Sequence, residues 1–294
     1  MTDRSIHIAL TFDDNFWAPA YATMRSICLF SKRRSDLVFH LLHRTLTSQH
    51  KVDLEAISSE FGASLRWYDL DQSTLFKDIA ARMPENKRLS NIVYARLIID
   101  QLMDPSIART LYLDCDMLVR DDIATLYDWD MQGAPIAAVR DSIGAWLTAG
   151  RDVASNRDIF DVAEPYFNAG LVLIDVAQWR AADIIGYMER AYAEGVMQRI
   201  YYDQDLLNLV FRGRWLQLPW RWNTIDARPV HEGLDPAILH YTGKAKPWFI
   251  ITGMRRSVAF TRFYRHVMTN KIFYDFARHR RNRWWRRMLR LDRS

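Results

Sequence analysis

The sequence predicts an α/β fold, a sheet covered by helices, on two observations. Short apolar runs alternate with stretches of helical spacing over most of the 294 residues, the βαβα pattern of a layered domain. A hydrophobic fraction of 49% is ample for a packed core at this length, which excludes a largely disordered chain.

The first strand is expected at His7 to Thr11, and a helix from about Ala18 to Phe30 follows, its apolar residues recurring near helical spacing. A second strand is expected at Leu37 to Leu42. Thr47 to Phe61 reads as a helix capped by Thr47 or Ser48 and stopped by Gly62, before a strand at Ser64 to Tyr68. This early β-α-β progression points to a Rossmann-like nucleotide-binding half, although no GxGxxG fingerprint occurs. Asn91 to Leu102 is expected as an amphipathic helix, and Thr110 to Leu113 as a short strand. Further buried strands are expected at Pro135 to Val139 and Gly170 to Ile174, with helices at Val176 to Glu194 and Asp203 to Phe211. No internal repeat or low-complexity linker interrupts the chain. One catalytic domain, residues 1–250, is therefore expected ahead of a helical segment, residues 251–294.

Charge separates the two parts. The formal charge is +5, but residues 278–294 hold eight Arg and one Asp, a net of +7, so residues 1–277 carry −2. Basicity thus belongs to the tail and not to a nucleic-acid-binding face, and no specific nucleic acid is expected as a partner. Trp284, Trp285, Met288 and Leu289 fall near one helical face of that tail, with arginines on the others. Such a helix suits the plane of an anionic membrane surface. Cys28 and Cys115 are the only cysteines and show no CxxC spacing, so a disulfide framework and a structural zinc site are not expected. The N-terminal apolar run is a strand long and lacks the features of a signal peptide, and no apolar run reaches the ~18 residues of a membrane span. The expected location is the cytoplasm, peripheral at the inner face of the membrane.

The strongest chemical feature is Thr110-Leu-Tyr-Leu-Asp114-Cys115-Asp116, a buried strand delivering two carboxylates to its C-terminal end, where open α/β sheets bind ligands. Side chains at i and i+2 share a face, and two such carboxylates repel unless a proton or cation lies between them. Carboxylate oxygens, with or without an imidazole, suit Mn²⁺ or Mg²⁺. A plain turn cap explains a lone DxD about as often, but the position of this one after Leu111-Tyr-Leu113 favours a site. Ala237-Ile-Leu-His240-Tyr-Thr-Gly243-Lys244-Ala-Lys246 ends a strand in a histidine, with a glycine for close backbone approach and lysines for phosphate; alone, it fits a structural histidine better. Tyr166-Phe-Asn168-Ala169-Gly170 leads into a buried strand, and Tyr201-Tyr-Asp203-Gln204-Asp205 opens a helix where acidic residues also favour the dipole.

These segments, with Asp13-Asp14-Asn15 and Tyr94-Ala-Arg96-Leu, occur in one order from about Ile6 to Trp248. Their co-occurrence resembles glycosyltransferase family 8, in particular bacterial lipooligosaccharide and lipopolysaccharide α-galactosyltransferases of the LgtC type. The resemblance implies a GT-A fold, a UDP-galactose or UDP-glucose donor, Mn²⁺ or Mg²⁺, a glycolipid or oligosaccharide acceptor and retention of anomeric configuration. It places metal on Asp114, Asp116 and His240, and uridine on Asp13 and Asn15 with Thr11 ahead of them. Diphosphate falls to Lys246 and the Gly243 backbone. Arg96, Asn168 and Asp203 are implied to grip the sugar beside Cys115, Ala169 and Gly170. Gln204 is implied on the face of the anomeric carbon opposite the leaving group, and Asp141 near the acceptor. Thr11-Phe12, Thr242 and a short stretch between Trp222 and His231 depart from the family pattern, which bears on nucleotide fit and acceptor choice.

Two other classes share part of this pattern. A haloacid-dehalogenase-like phosphatase also has a DxD after a hydrophobic strand, but usually on its first strand and followed by glycine and threonine. A non-enzymatic protein holding nucleic acid through the Arg/Trp tail has the acidic balance of residues 1–277 against it.

Overall fold

The structure, a computed structural model, describes residues 4–83, 91–141, 158–161, 163–200, 202–255 and 257–289. The chain opens with β1 (Ile6–Asp13) and α1 (Trp17–Phe30), continues through β2 (Leu37–Arg44) and α2 (Ser48–Phe61), and adds β3 (Ser64–Asp69) and α3 (Thr74–Arg82). Thr47 caps α2 by accepting from the His50 amide at 3.3 Å, and Gly62 ends it in the left-handed region at φ 73°, which costs glycine little. A 3-10 segment, Asn91–Ile98, runs into a single turn, α4 (Ile99–Leu102). Then come β4 (Arg109–Leu113), β5 (Met117–Val119), α5 (Ile123–Tyr127), β6 (Ile136–Arg140) and β7 (Phe167–Asp175). The rest is α6 (Val176–Ala181), α7 (Ile184–Ala193), α8 (Tyr202–Val210), β8 (Trp215–Leu218), β9 (Thr224–Ile225), β10 (Ile238–His240), α9 (Ile250–Arg255), α10 (Thr261–Met268) and α11 (Asn270–Met288).

Among the described residues seven strands form one sheet in the order β3-β2-β1-β4-β7-β6-β8, and β5-β10-β9 form a second, smaller sheet. All pairings of the large sheet are parallel except those of β7, which runs antiparallel to both β4 and β6, so the sheet is mixed. Strand alternation feeds two cores. Ile8, Leu10, Phe12, Leu111 and Leu113 face α1, whereas Ala9, Tyr112, Val172 and Ile174 join the core on the other side with Trp179 and Phe211. Tyr264, Val267, Met268, Ile272, Phe273 and Phe276 of α10 and α11 belong to the first of these cores.

The polarity of β7 positions the site. The C-terminal ends of β1 and β4 and the N-terminal end of β7 meet at one edge, with Leu113 opposite Leu171 and the Asp114 amide donating to the Gly170 carbonyl at 2.8 Å. Asp13, the 114–116 turn and the 168–170 turn therefore emerge together.

Two expected elements differ. Asn91 to Leu102 is 3-10 over its first eight residues, not α-helical throughout. Ile92 and every residue from Tyr94 to Ile98 are buried, so contacts on several sides override an amphipathic face. The helix expected from Val176 to Glu194 is two helices, broken where Asp183 takes φ 47° and caps α7 by accepting from the Gly186 amide at 3.1 Å. The strand expected from Pro135 begins one residue later, at Ile136.

Candidate functional site

Three side chains from two segments converge on one point. Asp114 and Asp116 follow β4, and His240 ends β10, which is held antiparallel to β5 with His240 opposite Met117. His240 Nε2 lies 3.1 Å from Asp116 Oδ1 and 3.6 Å from Asp114 Oδ2, and one donor atom from each residue lies within 4.8 Å of the others. Two carboxylates and an imidazole at this separation suit a divalent cation. Gly170 leaves the room: a Cβ there would stand 2.3 Å from His240 Cε1 and 2.7 Å from Asp114 Oδ2.

The imidazole is oriented from behind. His240 Nδ1 lies 3.0 Å from Asn223 Oδ1, and an Nδ1 proton donated there points Nε2 at the carboxylates. Asn223 is buried, and its Nδ2 donates to Asn168 Oδ1 at 2.9 Å. Burial pushes the Asp116 carboxyl up, but the charges of His240 and Lys246 and their hydrogen bonds prevail and hold it well below the usual carboxylate range. Lys246 Nζ reaches Asp116 Oδ2 at 2.8 Å and also bonds the Tyr241 carbonyl.

A second layer surrounds the cluster. Buried Arg96 donates to Asp114 Oδ1 at 3.0 Å and to the Ala169 carbonyl at 2.6 Å, lies 4.4 Å from the Tyr112 ring centroid, and pairs with Asp203 at 2.6 Å. Burial lifts the Asp203 carboxyl to about 6; Arg96 opposes the rise and the charge of Asp114 adds to it. The Tyr112 hydroxyl donates to Asp114 Oδ1 at 3.0 Å and lies 2.7 Å from Thr11 Oγ1. Asp141 Oδ2 accepts from Asn168 Nδ2 at 2.9 Å and from Gln204 Nε2 at 3.2 Å, and Gln204 Oε1 accepts from the Ala169 amide at 3.1 Å. Asp141, Asn168 and Gln204 are thus one network joined to the carboxylate–histidine cluster through Asn223.

Asp13 and Asn15 close a turn on themselves, Asp13 accepting from the Asn15 amide at 2.9 Å and from its side chain at 3.0 Å. Cys115 is buried behind the carboxylates, and burial pushes its thiol up, so it is no thiolate ligand. Gly243 sits in the turn after β10, where a Cβ would meet Asp226 Oδ1 at 2.8 Å. Asp114, Asp116, His240, Lys246, Arg96, Asp203, Asn168, Ala169, Gly170, Gln204 and Asp141 are therefore tied together by direct bonds, whereas Asp13, Asn15 and Gly243 stand at the rim. Sequence reasoning missed Asn223 and Tyr112. Asn223 lies in the short stretch after Trp222, and only the β9–β10 pairing turns it toward His240; Tyr112 stands two residues before Asp114 on the same side of the strand.

The profile of Glycosyl transferase family 8 matches residues 7–252. The chain is 26% identical over 266 residues to General stress protein A of Bacillus subtilis (strain 168), covering 84% of this chain and 88% of that one. It is 26% identical over 264 residues to Probable galacturonosyltransferase-like 9 of Arabidopsis thaliana, covering 83% and 67% respectively. A crystal structure of galactosyltransferase LgtC in complex with donor and acceptor sugar analogs superposes with a TM-score of 0.72 at 25% identity, over 90% of this chain and 95% of that one. The mixed sheet flanked by helices is accordingly a GT-A fold, and neither the phosphatase nor the nucleic-acid-binding reading finds support. A match spanning residues 7–252, on a fold that gathers the acidic, histidine and arginine residues of the matched region, shows that the chain is a glycosyltransferase and belongs to glycosyl transferase family 8.

Proposed function

We propose that this chain transfers a hexose, galactose or glucose, from a UDP-sugar to a saccharide acceptor with retention of configuration, the acceptor being a glycan of the lipooligosaccharide or lipopolysaccharide class. The observation that carries this reading is the Asp114–Asp116–His240 cluster with Lys246 on one side and the Arg96–Asp203 pair on the other. The donor set and the space kept by Gly170 fit Mn²⁺ or Mg²⁺. When bound there, such an ion supplies charge stabilisation for the departing diphosphate.

The residues of the chain do the rest. Asp13 and Asn15 offer polar groups to the uridine at the mouth of β1, and Lys246 and the Gly243 backbone meet the diphosphate. Arg96, Asn168 and Asp203 orient the sugar. Asp141 stands beside Gln204 toward the acceptor. The bond from the anomeric carbon to the diphosphate oxygen breaks with its electron pair going to UDP, the acceptor oxygen bonds the same carbon, and the acceptor proton leaves to a diphosphate oxygen or to water. Gln204 is a neutral amide engaged with Ala169 and Asp141, and Asp203 is engaged with Arg96, so neither is free to act as a strong nucleophile. Attack from the leaving-group face, through an oxocarbenium-like state, is therefore favoured. Intact-mass analysis during turnover should find no glycosyl adduct on Asp203 or Gln204; a trapped adduct would reverse this assignment.

Residues 1–250 form the catalytic part in this reading, and the segment 251–294 ends in a peripheral anchor. Among the described residues no helix is long and apolar enough to cross a membrane. Trp284, Trp285, Met288 and Leu289 are nonetheless at least half exposed among arginines. The tail is proposed to lie on the anionic inner surface of the cytoplasmic membrane, near a glycolipid acceptor. Trp284→Ser/Trp285→Ser should weaken binding to anionic vesicles at least about tenfold, because two exposed aromatic anchors are lost, and should leave UDP release in solution unchanged. Sedimentation with vesicles measures the first and a UDP assay the second.

The function itself is tested with a panel of UDP-sugars, following UDP release with Mn²⁺, Mg²⁺ or chelator. Turnover of one UDP-hexose that stops with chelator is the expected result, and no release from any UDP-sugar with any divalent ion would overturn the reading.

A further inference from the structure

A second group of metal-ligating side chains lies away from the catalytic cluster. Asp14, in the turn after β1, meets His50 from α2 and His279 from the tail helix α11, with one donor atom of each within 4.8 Å of the others. His50 Nδ1 is 2.6 Å from Asp14 Oδ1, and His279 Nε2 is 4.0 Å from Asp14 Oδ2. We propose that Asp14, His50 and His279 form a second divalent-cation site, of the zinc class, that staples the tail helix to the loop following β1.

Four observations carry this. The donors are two imidazoles and one carboxylate, which suit Zn²⁺ better than the all-oxygen preference of Mg²⁺, and three protein ligands leave a fourth position for water. Each side chain is pre-positioned. His50 stacks on Trp17 with ring centroids 4.2 Å apart, His279 lies parallel to Phe276, and Asp14 accepts from the Thr47 amide at 3.0 Å. His279 Nε2 is buried without a hydrogen-bond partner, a costly state that a ligand would relieve. The spacing also fits: bonds of about 2.0–2.1 Å in a tetrahedron put donors roughly 3.3 Å apart, between the two separations observed.

Protonation agrees with ligation. Burial depresses the basicity of His279, and Arg283, Arg286 and His50 add to that while Asp14 opposes it, so the ring is held toward its neutral, ligating form. The same two arginines oppose added positive charge, which selects a cation that bonds imidazole strongly over one held by charge alone. Ligation by His50 Nδ1 moves its ring proton to Nε2 and releases the hydrogen bond to Asp14. Asp14 directly follows Asp13, so an occupied staple fixes the loop that the proposed function assigns to uridine; the metal site itself does not rest on that assignment.

The test uses the full-length chain with the catalytic cluster disabled by Asp116→Asn/His240→Gln. Equilibrium dialysis should find one Zn²⁺ per chain, Co²⁺ should give tetrahedral visible absorption bands, and Zn²⁺ should raise the Tm. Adding His279→Gln should weaken Zn²⁺ binding at least tenfold and abolish the Tm rise, with an unchanged circular dichroism spectrum. His50→Gln, read in the same way, serves if His279→Gln does not fold. No Zn²⁺ uptake by the disabled chain, or equal uptake after either substitution, would overturn the proposal and leave only a hydrogen-bonded latch.

Discussion

Asp116→Asn is expected to reduce metal-dependent UDP release by about 10³-fold, equivalent to about 4 kcal/mol of lost transition-state stabilisation. Asp116 faces both His240, at 3.1 Å, and Lys246, at 2.8 Å, so among the described residues it is the one carboxylate that touches both the imidazole of the cluster and the lysine proposed for the diphosphate. An amide keeps the shape and can still accept from Lys246, which separates loss of charge from loss of fold. Binding of Mn²⁺, followed by electron paramagnetic resonance, should weaken in parallel while the Tm changes little. Undiminished UDP release by the variant would remove the cluster from the mechanism.

Arg96→Leu is expected to be the most destabilising change at the site. The guanidinium is buried and touches Asp114, Asp203 and the Ala169 carbonyl, so its removal strands the buried Asp203, the half-buried Asp114 and one carbonyl together. Breaking a buried pair from one side costs about 3–5 kcal/mol, which for a chain of this size lowers the Tm on the order of 10 °C. Arg96→Lys keeps a charge but cannot span three partners, and should fall between wild type and Leu. Adding Asp203→Asn to Arg96→Leu should recover part of the loss, since one stranded carboxylate is neutralised; its carboxyl, already lifted to about 6, is the easier of the two to replace. Calorimetry reads all four, and a Tm for Arg96→Leu within about 1 °C of wild type would contradict the account.

Much of this was legible in order along the chain. The strand Leu111-Tyr-Leu ends in two acids because a buried strand stops where it meets solvent or a ligand, and the same reasoning found His240 at the end of β10. Thr47 and Gly62 marked the ends of α2 by capping chemistry that is local in sequence. Short elements such as β5, β8 and β9 were not legible: two to four residues carry too little periodicity, and their pairing partners lie far away in sequence. The break at Asp183 was hidden because the apolar pattern runs on through it.

The division has one physical reason. Periodicity, caps and the order of motifs are local properties, and by themselves they determined the α/β class, the acidic and histidine-bearing strand ends, the basic aromatic tail and the resemblance to the family to which the chain belongs. Side-chain convergence is a property of register and crossing. Only the tertiary structure decided that β7 runs antiparallel and brings Asn168 and Gly170 to Asp114, that Asn223 orients His240, and that α11 folds back to set His279 against Asp14. Such contacts join residues 17 to more than 250 positions apart, and no local pattern encodes a distance of that kind.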